Sequence, residues 1–220
     1  MESSPRSQSL THHEVTAPLS QQEVAEWFEW GTFTTDWTSP HFPLWMNILR
    51  PLRDRPADVL EIGSWEGRSA LFFLNYLPQA RLVCVDPFTG KAIHRNDPEL
   101  SEHLSNLEGI FDANVAAFAD RVEKLKAASS VTLPSLALSG RRFDLAFVDG
   151  CHRAADVFSD AALVWPLMLP GAVVIFDDYE LAISDDEHER PKLGLDAFRS
   201  LFKGQYNLLH EGWQLILQKN

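Results

Sequence analysis

Cysteine is scarce in this 220-residue chain. Only Cys84, inside an apolar run, and Cys151, two residues past Asp149, are present. They form neither a zinc-binding spacing nor a disulfide framework, so a reducing cytoplasm is the expected setting. Positive charge is also short: 19 Lys and Arg face 31 Asp and Glu, for a net charge of −12. Nucleic-acid binding needs basic surface to displace counterions, and no Lys/Arg cluster supplies it locally, which argues against that partner. No apolar run approaches the roughly 18–20 residues that span a bilayer. The polar N-terminal stretch has no signal-peptide core, so neither a membrane nor export is expected. Internal repeats are absent, as is the G-x-S-x-G elbow of the serine hydrolases.

What remains is a chain of ordinary globular composition, 45% hydrophobic and 23% charged, long enough for one domain with a sizeable core. Residues 1–20 are rich in Ser, Thr, Gln and His without periodicity and read as a flexible leader. Residues 21–56 read as a helical cap dense in aromatic rings: Trp27, Phe28, Trp30, Phe33, Trp37, Phe42 and Trp45. Most of these rings are expected in the core, with one or two walling a pocket.

From 57 to 220 strands and helices alternate. Strands are predicted at 58–62, 81–85, 122–126, 143–148 and, after a turn at Pro170-Gly171, 172–176. Helices are predicted at 68–77, 100–118, 154–167 and 195–202, and two closing strands at 206–210 and 213–218. Alternation predicts an α/β fold: a Rossmann-like, doubly wound, mostly parallel seven-stranded sheet with right-handed crossovers. The closing pair is too tightly spaced for a crossover and predicts an antiparallel edge hairpin.

Chemistry gathers at the strand ends. The run 172–176 closes in Asp177-Asp178, and 143–148 closes in Asp149-Gly150-Cys151-His152. Ligands of open α/β sheets bind beyond the carboxyl ends of the strands. Three carboxylates there repel one another unless a cation sits between them, and His152 can reach the same place as a base. The first strand runs into Glu61-Ile62-Gly63-Ser64-Trp65-Glu66-Gly67-Arg68, and the second ends in Asp86. The glycines permit a tight turn at a helix N-terminus, and an acid after the second strand can accept both hydroxyls of a ribose. A dinucleotide wants G-x-G-x-x-G, but Trp65 stands where the second glycine belongs, which disfavours a nicotinamide-dependent oxidoreductase. Glu61 suits a ligand carrying an amino group and a sulfonium. A metal-dependent hydrolase on the same sheet remains the other reading.

The segments 61–69, 85–87, 147–152 and 170–179 stand in the order and spacing of class I S-adenosylmethionine-dependent methyltransferases. More narrowly, residues 59–220 resemble the metal-dependent O-methyltransferases that include the macrocin and mycinamicin sugar enzymes, with catechol and caffeoyl-CoA O-methyltransferases more distant. The resemblance implies that Glu61, Gly63, Ser64 and Gly67 cradle the methionine part of the cofactor, Asp86 the ribose and Ser129 the adenine. It implies a divalent cation, Mg2+ above all, on Asp149, Asp177 and Asp178, with His152 as general base. Several relatives carry Glu at the position of Asp177 or Asn at that of Asp178, changes that keep oxygen ligands. The implied acceptor is a small hydroxylated molecule such as a sugar, polyol or catechol, and relatives' habits allow a homo-oligomer. Two loops, 89–98 with Lys91, His94 and Arg95, and 184–192, are candidate lids over it. His41, His94, His103 and His188 match no partner pattern.

Overall fold

The computed structural model describes residues 19–90, 103–182 and 184–220. The leader up to residue 18, most of the 89–98 loop and the first residues of the helix expected at 100–118 lie outside the described residues. The sheet has seven strands: β1 (Ala57–Ile62), β2 (Ala80–Val85), β3 (Val122–Leu125), β4 (Phe143–Val148), β5 (Met168–Phe176), β6 (Tyr206–Glu211) and β7 (Leu215–Lys219). Their order is β3-β2-β1-β4-β5-β7-β6, parallel from β3 to β5 and antiparallel where β7 pairs with β5 and with β6. The expected sheet and its antiparallel edge pair are both present.

Period-two alternation splits the core between the two faces of the sheet. Val59, Leu82, Leu145, Phe147 and Ile175 face one side, and Leu60, Val83, Ala146, Val174 and Leu217 the other. The first face is covered by α1 (Gln21–Glu26), α2 (Phe42–Leu49), α3 (Arg68–Tyr76) and α4 (Leu107–Val115). The second is covered by α5 (Ser129–Leu138), α6 (Ala154–Val164) and α7 (Pro191–Leu201). Helix α3 is buried almost all round, as its apolar composition demands, because the aromatic cap closes over its outer side.

Cap and sheet share one core. Trp45 is fully buried, stacked on Phe73 at 5.3 Å between centroids and edge-on to Phe147 of β4 at 5.1 Å. Phe42 stacks on Phe72 at 4.4 Å. Helix α1 is started by a reciprocal cap, in which the Glu23 N–H donates to Ser20 Oγ and the Ser20 N–H to the Glu23 carboxylate. Trp30 and Trp37 stay half exposed.

Two expected features change. Pro170-Gly171 does not turn the chain into β5 but lies within it. The β4–β5 register jumps from Phe143↔Met168 to Leu145↔Val173, so the extra residues form a bulge, with Gly171 at φ +79°. The helix expected at 154–167 ends at Val164 and tightens into a 3-10 turn over Trp165–Leu167.

Candidate active site

Strand order reverses between β1 and β4, since the chain steps outward from β1 through β2 and β3 and then returns to β1's other side. That is the switch point where a crevice opens. The residues just past four strands bond sideways like rungs: the N–H of Asp86 donates to Leu125 O, Gly63 to Val85 O, Asp149 to Ile62 O and Asp177 to Val148 O, at 2.9–3.3 Å. This ladder delivers the carboxylates to one edge in fixed register.

A cavity of about 340 Å3 sits there. Gly63 and Trp65 line it after β1, Asp86 and Pro87 after β2, Ser129 at the start of α5, and Asp149 and Cys151 after β4. Trp37 from the cap closes it, its ring 5.9 Å from that of Trp65. Gly63 and Gly67 both take φ +83°, and Trp65 takes φ +49°, so three residues of the loop are left-handed. Glycine is the natural occupant of such positions, and Trp65 is held there by its N–H donating to Asp86 Oδ2 at 3.0 Å. Asp86 Oδ1 accepts from the Phe88 N–H at 2.6 Å. Burial pushes the Asp86 carboxyl up, opposed by the backbone N–H groups of Trp65, Phe88 and Ser64.

Glu61, expected at the methionine end of a cofactor, does not line this cavity. It is sealed beneath the loop, accepting from Ser69 Oγ at 2.6 Å and Cys84 Sγ at 3.4 Å, and burial pushes its pKa up to about 7. Ser64 is buried beside it and lines a smaller pocket shared with Gly63, Glu66 and Asp149. Ser129 faces the main cavity and donates its hydroxyl to Asp160 Oδ1 at 2.6 Å.

Asp160, hidden on the apolar side of α6, was not singled out in the sequence. Burial raises its pKa to about 6, with Ser129 pulling it down and Asp156 adding to it. A folded-state pKa above the unfolded value of about 3.9 means that ionisation opposes folding. Stability from this group is therefore greatest below pH 4, is lost between about pH 4 and 6, and is flat above. Asp160→Asn is expected to gain up to about 2–3 kcal/mol over the parent at pH 8 and little at pH 4, measured by urea unfolding at both. An equal difference at the two pH values sinks this account.

The second half of the site is acidic. His152 Nε2 lies 2.8 Å from Asp178 Oδ2 and 3.9 Å from Asp149 Oδ1. Among the described residues, Asp149, His152 and Asp178 form the group whose ligand atoms all lie within 4.8 Å of one another. Asp177 stands next to them rather than among them. Its Oδ1 accepts from the Asp178 N–H at 2.9 Å and from Gln214 Nε2 at 3.1 Å. Burial, and then the charges of Asp149 and Asp178, push its pKa up to about 8. Crowded carboxylates, one of them driven toward its protonated form, are the electrostatic condition that a divalent cation relieves, and the hard oxygen donors suit Mg2+. The residues present therefore fit the expected ion.

Asp178 also has φ +57°, in the left-handed region, and Tyr179 anchors the turn through its N–H to Trp213 O at 2.8 Å. The cap contributes His41, whose pKa is lowered by burial and by His210 while Asp178 opposes the shift. No sequence spacing linked His41 to these acids. The 184–192 loop folds over a 3-10 turn at Glu187–Glu189 and is tied to the start of α6 by Arg153 Nε to Glu189 Oε1 at 3.2 Å.

A family model described as a methyltransferase domain matches residues 60–179, more than half of the chain. The chain belongs to this methyltransferase family. The resemblance read from the strand-end motifs is borne out, and the matched span runs from β1 to the turn after β5. An uncharacterized protein of Acanthamoeba polyphaga mimivirus is 23% identical over 144 residues, covering 64% of this chain and 59% of its own. Among solved structures, the fold resembles MycE methyltransferase from the mycinamycin biosynthetic pathway, in complex with Mg, SAH and mycinamycin VI (TM-score 0.61, 17% identity, 89% of this chain and 52% of that one). It also resembles the O-methyltransferase TomG from Streptomyces achromogenes in complex with SAM (TM-score 0.60, 22% identity, 84% and 82%). An O-methyltransferase from Bacillus cereus in complex with SAH is similar over 94% of both chains (TM-score 0.61, 18% identity). The methyltransferase chain thus spans about half the length of MycE. No helix among its described residues is long and apolar enough to cross a membrane.

Proposed function

We propose that this methyltransferase moves the methyl group of S-adenosylmethionine to a hydroxyl of a small molecule, assisted by Mg2+ or a similar divalent cation. The observation that carries this reading is the junction at Asp149, which lines the nucleoside-sized cavity and belongs to the acidic group with His152 and Asp178. One edge of the sheet thereby joins a cofactor pocket to a hard-donor cluster. MycE, solved with Mg and SAH, and TomG, solved with SAM, have the same fold and support both parts.

The cofactor, held by Asp86 and the loop from Gly63 to Gly67, would supply an electrophilic methyl group to the acceptor oxygen and would leave as the neutral thioether. A cation held by Asp149, Asp177 and Asp178 would bind the acceptor hydroxyl and lower its pKa. The residues do the rest. Asp86 offers remaining lone pairs to the ribose hydroxyls, while the left-handed loop from Gly63 to Gly67 lets backbone approach the ligand. Trp37 and Trp65 form an apolar wall that excludes water beside the reacting atoms. His152 takes the hydroxyl proton at its imidazole. The acceptor, a sugar, polyol or catechol-like compound, lies on the cap side, toward His41 and the 184–192 loop.

Calorimetric titration of S-adenosylhomocysteine, with and without Mg2+, tests the reading, with NAD as the control ligand. Micromolar binding of S-adenosylhomocysteine and none of NAD is expected. No binding in either condition removes the cofactor assignment.

A further inference from the structure

One buried polar chain crosses from the cap to the acidic cluster, and the methyl-transfer steps above make no use of its first two members, Trp45 and Gln214. The Trp45 indole N–H donates to Gln214 Oε1 at 2.7 Å, and Gln214 Nε2 donates to Asp177 Oδ1 at 3.1 Å. Trp45 and Gln214 are both completely buried and Asp177 nearly so. An indole N–H only donates, so the amide oxygen of Gln214 must face Trp45, and its NH2 must face Asp177. That orientation obliges Asp177 Oδ1 to accept. The Asp178 N–H already donates to the same oxygen. Two donors thus fix the Asp177 carboxylate beside the group of Asp149, His152 and Asp178.

We propose that Gln214, itself oriented by Trp45, is the positioning residue that holds the Asp177 carboxylate in its ligating pose, and so sets the cation affinity of the cluster. This rests on the metal-assisted reading above. The chain also makes cap helix α2 part of the cation site, because Trp45 is wedged between Phe73 and Phe147 and cannot shift without moving the amide. Groups that orient a metal ligand from behind typically govern affinity by about 10–100-fold.

The test is the affinity of Mg2+ and Mn2+ for the purified protein without S-adenosylmethionine, by calorimetry and by the Mn2+ paramagnetic resonance signal. Gln214→Met preserves volume but neither accepts from Trp45 nor donates to Asp177. Its cation affinity is expected to fall about 10–100-fold, with S-adenosylhomocysteine affinity unchanged. Trp45→Phe frees the amide to turn and is expected to fall less. The pair Trp45→Phe/Gln214→Met should bind cation no more weakly than Gln214→Met alone, since Trp45 acts through Gln214. It also removes the stranded indole donor, so it is read by the same criterion if the single variant does not fold. Parent-like cation affinity in Gln214→Met, or equal loss of cation and cofactor affinity, overturns the positioning role. Absence of cation binding by the parent protein overturns this proposal and the metal reading together.

Discussion

Asp178→Gly is expected to abolish cation-dependent methyl transfer while leaving the fold as stable as before and S-adenosylhomocysteine affinity intact. The loss of turnover should exceed the roughly 10–100-fold typical for a group that merely supports a metal ligand. Two consequences of one residue are being separated. The Asp178 carboxylate belongs to the group with Asp149 and His152, but its backbone sits at φ +57°. Glycine accepts that conformation without cost, whereas a residue with a Cβ is disfavoured there by about 1–2 kcal/mol. Asp178→Ala should therefore lose the same activity and, in addition, about 1 kcal/mol of stability relative to the glycine variant. Turnover with Mg2+, thermal unfolding and S-adenosylhomocysteine titration distinguish the cases. A glycine variant that keeps cation-dependent turnover would show that Asp178 is not a ligand. One that loses cofactor affinity in parallel would show that the two halves of the site are not separable there.

Gly63→Ala should do the opposite, damaging both halves at once. A Cβ on Gly63 would lie 2.0 Å from the backbone oxygen of Asp149, far inside contact distance, and φ is +83°. Backbone cannot swing aside as a side-chain tip can. Relief requires parting the ends of β1 and β4, which are held by the Asp149 N–H to Ile62 O bond. Left-handed strain and overpacking together are expected to cost about 2–5 kcal/mol, with loss of cofactor binding. Gly140→Ala is the internal control: φ is +76° there too, but nothing lies within 4 Å of the added carbon. It should cost about 1–2 kcal/mol from backbone strain alone. Equal losses by urea unfolding at the two sites would mean that the close approach between the strand ends carries no weight.

The parallel strands were legible because buried strands read as continuous apolar runs bounded by acids or glycines; β1 to β4 fell within a residue of their expected places, while β5 starts four residues earlier than expected, at Met168. The acids were legible for the same reason, standing where the runs stop. Pro170-Gly171 was misplaced because turn chemistry and bulge chemistry use the same residues, and only the pairing partner tells them apart. Gln214 was hidden by its neighbours, one polar residue between Trp213 and the apolar run Leu215 to Leu217, and Asp160 by looking like one more helix-surface acid beside Asp156 and Ser159. His41 was invisible for another reason. Its pKa is lowered by burial and shaped by the charges of Asp178 and His210, both remote in sequence. Trp65 shows the limit of a motif: the loop reaches left-handed geometry without the second glycine, using the Asp86 carboxylate as the tether.

The interleaving of β7 between β5 and β6 bears on how the protein is made. A ribosome releases Asp177 and Asp178 before β6, and β6 before β7. The outer edge of β5, from Val173 to Phe176, therefore waits through the synthesis of a helix and a strand before its partner emerges. Gln214 arrives at the mouth of that late strand. During translation the nascent chain holds an unpaired apolar edge and an unclamped carboxylate, and both are resolved in a single step when Leu215 to Gln218 slot into place.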